Sequence, residues 1–159
     1  MPQLYGADEV ARLQNKLAAV FSLVDGAGLE AEVLAHYSRY LAVQLAGFSE
    51  ESLKLLVSAH ARKRSTVQIH RFVEGRIRLL WGINATKLKD TLDSFDTSWW
   101  HELQQTHSQE VEALNSVGKL RDSITHGGNS GVSMPIVKQY RDDVFRLFRK
   151  LSLLLDPPS

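Results

Sequence analysis

Apolar residues recur at intervals of three and four along most of the chain, the spacing that lines one side of an α-helix. Between Ala7 and Val24 they are Val10, Leu13, Leu17, Val20, Phe21 and Val24. Asp25-Gly26-Ala27-Gly28 breaks that pattern. A second helix is predicted from about Leu29 to Ala46, with Val33, Leu34, Tyr37, Leu41 and Leu45 on one side. Gly47-Phe48-Ser49 then interrupts, with Ser49 as an N-cap for a helix from Glu50 to Arg62. Ser65 is placed to cap the next helix, whose stripe runs through Val67, Ile69, Phe72, Val73, Ile77, Leu80 and Trp81. Gly82-Ile83-Asn84 ends it, and Thr86 to Phe95 forms a short helix on Leu88, Leu92 and Phe95. Asp96-Thr97-Ser98 is a turn or cap, and the Trp99-Trp100 pair after it is read as packing anchors. From Ser108 the stripe is Val111, Leu114, Val117, Leu120 and Ile124, stopped by Gly127-Gly128-Asn129-Ser130-Gly131. Ser133 caps a last helix, with Pro135 in its first turn and Ile136, Val137, Tyr140, Val144, Leu147, Phe148, Leu151 and Leu154 along it.

No segment alternates as a strand does, and no repeat or long linker divides the sequence. The fold class is therefore all-α: one domain over residues 1–159, a helical bundle whose last two helices form a hairpin across the glycine stop. The length of 159 residues suffices for a sizeable core. A net charge of +1 provides no global field for nucleic acid, so any such partner must be met by a local patch. With no cysteine, disulfides, zinc-thiolate sites and cysteine nucleophiles are excluded, which fits a cytoplasmic protein. The start, Met1-Pro2-Gln3-Leu4-Tyr5, lacks the features of a signal peptide, and no apolar run approaches the ~20 residues that span a bilayer.

Candidate chemistry concentrates at the end of the penultimate helix, Arg121-Asp122-Ser123-Ile124-Thr125-His126-Gly127. Arg121 and His126 are five residues apart, so on a helix they diverge by roughly 140°. His126 lies four residues after Asp122, a spacing at which the carboxylate orients the imidazole and favours its charged form. Arg121 offers a planar fork for phosphate oxygens. A histidine that moves a proton beside an arginine that holds a phosphate suits RNA cleavage without a metal or other cofactor. One histidine cannot readily serve as acid and base on opposite sides of an in-line displacement; two copies about a twofold axis can. Taken alone, the same residues equally describe a capping histidine and a surface arginine.

A second cationic feature spans Arg62 to Arg78. Arg64, Arg71 and Arg78 are seven apart, with His70 beside them, as a phosphate-tracking stripe would be. Glu74 is placed to pair with Arg71 and Arg78, so a salt-bridged solvated face fits as well. The remaining histidines show no metal-ligand spacing.

In its setting, the central motif resembles that of the HEPN superfamily, small helical domains marked by an arginine and a histidine four to six residues apart. Leu45-Ala46-Gly47-Phe48-Ser49-Glu50-Glu51-Ser52-Leu53, the helix around Ile69 to Arg78, and Asn84-Ala85-Thr86-Lys87-Leu88 through Ser94-Phe95-Asp96 are similar to the RiboL-PSP type of that family. In that type an asparagine opens a short helix closed by a phenylalanine-aspartate step. The resemblance runs from about Ala31 to Leu155. It implies a metal-independent endoribonuclease, a homodimer with a composite site. It also implies a setting in toxin–antitoxin or other host-defence systems, with an antitoxin or other regulatory protein as partner. Arg121 and His126 match the motif residues, and Asp122 takes the polar position often held by asparagine or histidine. Some members have lost catalysis and act as dimerisation or RNA-binding modules.

Overall fold

The computed structural model describes residues 5–128 and 131–159. The start of the chain, residues 1–4, and the middle of the glycine stop, residues 129–130, lie outside them. Seven helices follow in order among the described residues: α1 (Ala7–Gly26), α2 (Ala31–Arg64), α3 (Val67–Ile77), α4 (Ala85–Asp93), α5 (Thr97–Thr106), α6 (Ser108–Thr125) and α7 (Met134–Leu155). The all-α architecture read from the sequence is the one observed. The long α2 is the central element, packing on α1, α3, α6 and α7. Its Leu41, Leu45, Leu53 and Leu56 are completely buried, as are Leu114 of α6 and Leu147, Phe148 and Leu151 of α7. Gln109 and Glu110, in the first turn of α6, meet Asp143 and Arg146 near the middle of α7, well past its start. The two helices are therefore antiparallel, the expected hairpin.

Three expectations about the elements are corrected. Gly47-Phe48-Ser49 does not interrupt: α2 runs unbroken through it for 34 residues. A helical glycine costs ~1 kcal/mol, but burial of the neighbouring residues outweighs that. Phe48 packs edge-on against Phe145 and Phe148, with centroids 5.3 and 5.5 Å away. Ser49 caps nothing; its buried hydroxyl donates back to the Leu45 carbonyl at 2.9 Å. Second, the Asp96 turn opens a further helix, α5, with the Asp96 carboxylate accepting the Ser98 N–H at 2.9 Å. Trp100 is buried on it, and Trp99 stacks on Phe95, so the pair are packing anchors as read. Third, Thr66 rather than Ser65 caps α3, which ends at Ile77. No residue of α3 is fully buried. It packs mainly on α2, which leaves Val67, Ile69 and Phe72, and the following Leu79 and Trp81, exposed.

The two chain ends are joined through one buried carboxylate. Asp156 accepts the Ala7 N–H at 2.8 Å and pairs with Lys63 at the end of α2. Burial pushes its pKa up. The Lys63 and Ala7 hydrogen bonds, with the charges of Lys63 and Arg64, outweigh burial and leave it below the ordinary value. Nearby, His60 donates from Nδ1 to the Leu155 carbonyl at 3.0 Å. Burial, then the charge of Arg64, lowers its pKa against the raising effects of the Leu155 bond and Asp156.

Both shifts act in one direction on stability. A depressed carboxylate stabilises the fold above its unfolded pKa and loses that contribution as pH falls through its folded value. A depressed histidine takes its proton first in the unfolded chain, so stability falls as pH drops below 6.5. Asp156→Asn is expected to cost ~1 kcal/mol at pH 7, mostly from the lost charge-assisted bond. The deficit in Tm should close as the pH falls through the carboxylate range. A deficit equal at pH 7 and pH 3 would show that the charge of Asp156 contributes nothing.

Candidate functional site

The motif helix α6 ends in two interlocking backbone bonds. The Gly128 N–H reaches the Ser123 carbonyl at 2.7 Å and the Gly127 N–H the Ile124 carbonyl at 3.2 Å, a Schellman stop. Gly127 has φ of +76°, which a side-chain-bearing residue rarely adopts. His126 occupies the cap position and is exposed. Its Nδ1 lies 2.7 Å from the backbone carbonyl of Asp122. A carbonyl only accepts, so Nδ1 carries the proton, and in the neutral ring Nε2 carries the lone pair. The expected orienting partner is thus corrected: the carbonyl of Asp122 holds the imidazole, not its carboxylate. The carboxylate turns the other way, with Oδ1 4.0 Å from Arg121 Nη1. The helix turn explains this, since a carbonyl four residues back points along the axis toward a cap residue while the exposed side chain leaves it.

Arg121 and Asp122 line a cavity of about 290 Å³ whose other walls include Glu50, Trp81, Gly82, Asn84, Lys87 and Lys119. His126 is outside it, so the divergence of arginine and histidine expected from their spacing is observed. The cavity is floored by a close approach of backbone. Gly118 packs on the loop after α3, where a Cβ would lie 2.5 Å from the Ile83 carbonyl oxygen. Asn115 of α6 accepts the Ala85 N–H at 2.8 Å, and Asn84 caps α4 by accepting the Lys87 N–H at 2.8 Å. Glu50 of α2 accepts the Gly82 N–H at 2.8 Å and pairs with Lys54 at 3.2 Å. The guanidinium of Arg121 lies 4.9 Å from the Trp81 ring centroid.

The four residues of the basic stripe do not share one helix. Arg64 closes α2, whereas His70 and Arg71 belong to α3 and Arg78 is its cap residue. The three arginines are exposed. His70 turns inward, 3.2 Å from the Ser58 hydroxyl and 3.1 Å from Glu74. Ser58 also donates to Glu74 at 2.7 Å. Glu74 is thereby drawn to α2, and among the described residues none of Arg64, Arg71 and Arg78 has an ion pair within 4.0 Å. The salt-bridged reading of this face is not what is seen.

Periodicity and spacing do not mark Trp81, Gly82 and Lys87 as site residues, although the glycine, the cap asparagine and the lysine three residues beyond it are all visible in Trp81-Gly82-Ile83-Asn84-Ala85-Thr86-Lys87. The contact of this loop with α6 is a tertiary fact carried by one small residue, Gly118, and local sequence does not show it. No family model, no curated protein and no solved structure matches the chain. No described helix is long and apolar enough to cross a membrane.

Proposed function

We propose that the protein is a metal-independent endoribonuclease of the HEPN type, acting as a homodimer in which two copies of the α6 end face one cleft. The observation that carries the reading is His126, exposed, held by the Asp122 carbonyl through Nδ1, and set at the end of the same helix that presents Arg121. A neutral His126 takes the proton from a ribose 2′-hydroxyl at Nε2. The 2′-oxygen bonds to phosphorus while the bond to the 5′-oxygen breaks. The second copy's His126, protonated, gives its proton to the leaving 5′-oxygen, and a 2′,3′-cyclic phosphate remains. Arg121 neutralises the charge that gathers on the phosphorus oxygens. The exposed Arg64, Arg71 and Arg78 serve as a path for the phosphate backbone. His70, engaged by Ser58 and Glu74, positions α3 on α2 rather than meeting RNA. The test is incubation of a labelled structured-RNA pool with purified protein in EDTA. Fragments ending in 2′,3′-cyclic phosphate are expected, and cleavage that survives both Arg121→Ala and His126→Ala would overturn the reading. An antitoxin or other regulatory partner belongs to the same proposal.

A second reading is favoured by the exposed apolar side of α3: a non-catalytic dimerisation or RNA-binding module that regulates a partner protein. Val67, Ile69, Phe72 and Leu79 form more apolar surface than a helix facing water alone requires. On this reading RNA is not cleaved, and Phe72→Glu abolishes self-association in sedimentation without lowering Tm. Self-association unchanged by Phe72→Glu would remove the support for it.

A further inference from the structure

The cavity beside Arg121 brings together two cations, an aromatic ring and very little compensating charge. A Cβ built on Gly82 would lie 3.2 Å from Arg121 Nη1 and 3.5 Å from Lys87 Nζ, so both cationic groups converge on that glycine. Two cations held this close repel one another unless an anion lies between them. Of the two carboxylates in the cavity wall, Glu50 is already engaged by the Gly82 N–H and Lys54. Asp122 reaches Arg121 only at 4.0 Å and is largely exposed. Lys119 adds a third cation to the wall. The first turn of α4 opens on the same space through Thr86 and Lys87 and brings the positive end of its helix dipole.

Trp81 gives the site its second half. It is 66% exposed, an unusual state for the largest apolar side chain, and no core element claims it. Lys87 donates to its carbonyl and lies 5.9 Å from the ring centroid, while Arg121 lies 4.9 Å away. The ring is thus fixed beside the two cations with much of its surface open. A planar base linked to a phosphate matches this pairing, since the base stacks on the indole while the phosphate is met by the arginine fork and the ammonium. The volume of about 290 Å³ is at the lower end of ligand-pocket sizes and fits one nucleotide unit rather than a longer stretch.

We infer that this cavity is a nucleotide subsite, with Arg121 and Lys87 holding a backbone phosphate and Trp81 stacking the adjoining base. The inference rests on the proposed ribonuclease reading only for the polymer that supplies the nucleotide. Trp81 and Lys87 then decide which nucleotide is presented to His126 and how tightly.

The test uses a fluorescein-labelled, fully 2′-O-methylated RNA hexanucleotide, which binds but cannot be cleaved because its 2′-oxygens are blocked. Anisotropy titrations are made with wild type, Trp81→Ala, Trp81→Phe and Lys87→Ala. Trp81→Ala is expected to weaken binding by ~10- to 100-fold, the range of one lost base stack, and Trp81→Phe to restore most of it. Lys87→Ala should weaken binding by ~10-fold and reduce the slope of log affinity against log salt by about one. Because Trp81 is exposed, Tm should not change. Wild-type affinity in both Trp81→Ala and Lys87→Ala would overturn the subsite, as would failure of the wild-type protein to bind the hexanucleotide. The two proposals fail separately. Binding as expected with no cleavage of natural RNA by any form sinks the catalytic reading alone. Cleavage that depends on His126 with binding indifferent to Trp81 sinks the subsite alone.

Discussion

His126→Ala is expected to lower RNA cleavage by ~10²- to 10⁴-fold, the range for removing a positioned proton-transfer group. The effect should sit in kcat, because the imidazole meets a proton that moves only in the transition state. Arg121→Lys should also lose ~10²-fold, since a point charge does not replace a two-pronged fork on a phosphorane-like centre. The composite arrangement makes a sharper demand. If one His126 acts as base and the second copy's as acid, a dimer with a single His126 lacks half the chemistry. At a fixed total protein concentration, an equilibrated equal mixture of wild type and His126→Ala should then show about one quarter of the activity of wild type alone, because only wild-type pairs act. Half of the activity would show that each chain cleaves alone, and the twofold cleft would have to be given up.

The helices were legible to different degrees for physical reasons. The stripes of α1 and α6 face packed neighbours, as does that of α7 from Val137 onward, so periodicity and burial agree there, and only Ile136 at the start of α7 is left exposed. In α2 a local signal lost to a tertiary one. Gly47 and Ser49 read as a break, but Phe48 between them fills the space against Phe145 and Phe148, and the helix continues. The stripe of α3 misled in the opposite direction: its spacing is amphipathic, yet mainly α2 covers it, and half of the stripe is left in water. At the site, the separation of Arg121 from His126 followed from 3.6 residues per turn and is seen. The partner of His126 did not follow, because residue spacing cannot distinguish the side chain of Asp122 from its carbonyl. The role of Trp81 was hidden for a similar reason. At the end of an apolar stripe it looks like core, and only the early end of α3 at Ile77 places it beside α6.

Gly118→Ala tests whether that loop is held where the site needs it, and the sign of the result is informative. In a solvent-facing helix the change would stabilise by up to ~1 kcal/mol. Gly47→Ala on α2 is such a case, exposed and with nothing within 4 Å of a new Cβ. At Gly118 the Cβ would lie 2.5 Å from the Ile83 carbonyl oxygen and 3.9 Å from Asn84 Cβ. Ile83 is buried and cannot retreat without exposing its side chain. The overlap is therefore expected to cost ~2–3 kcal/mol, a Tm lower by ~4–12 °C at this chain length, while Gly47→Ala raises it slightly. The displaced segment carries Trp81 and Gly82 on one side and the Asn84 cap of α4 on the other. Arg121 stands one turn beyond Gly118 on the helix they are held against. Hexanucleotide affinity and cleavage should consequently fall together in Gly118→Ala, below the melting transition, with His126 untouched. A Tm raised by both substitutions would mean that α6 and the loop are not in contact, and the cavity between them would lose its floor.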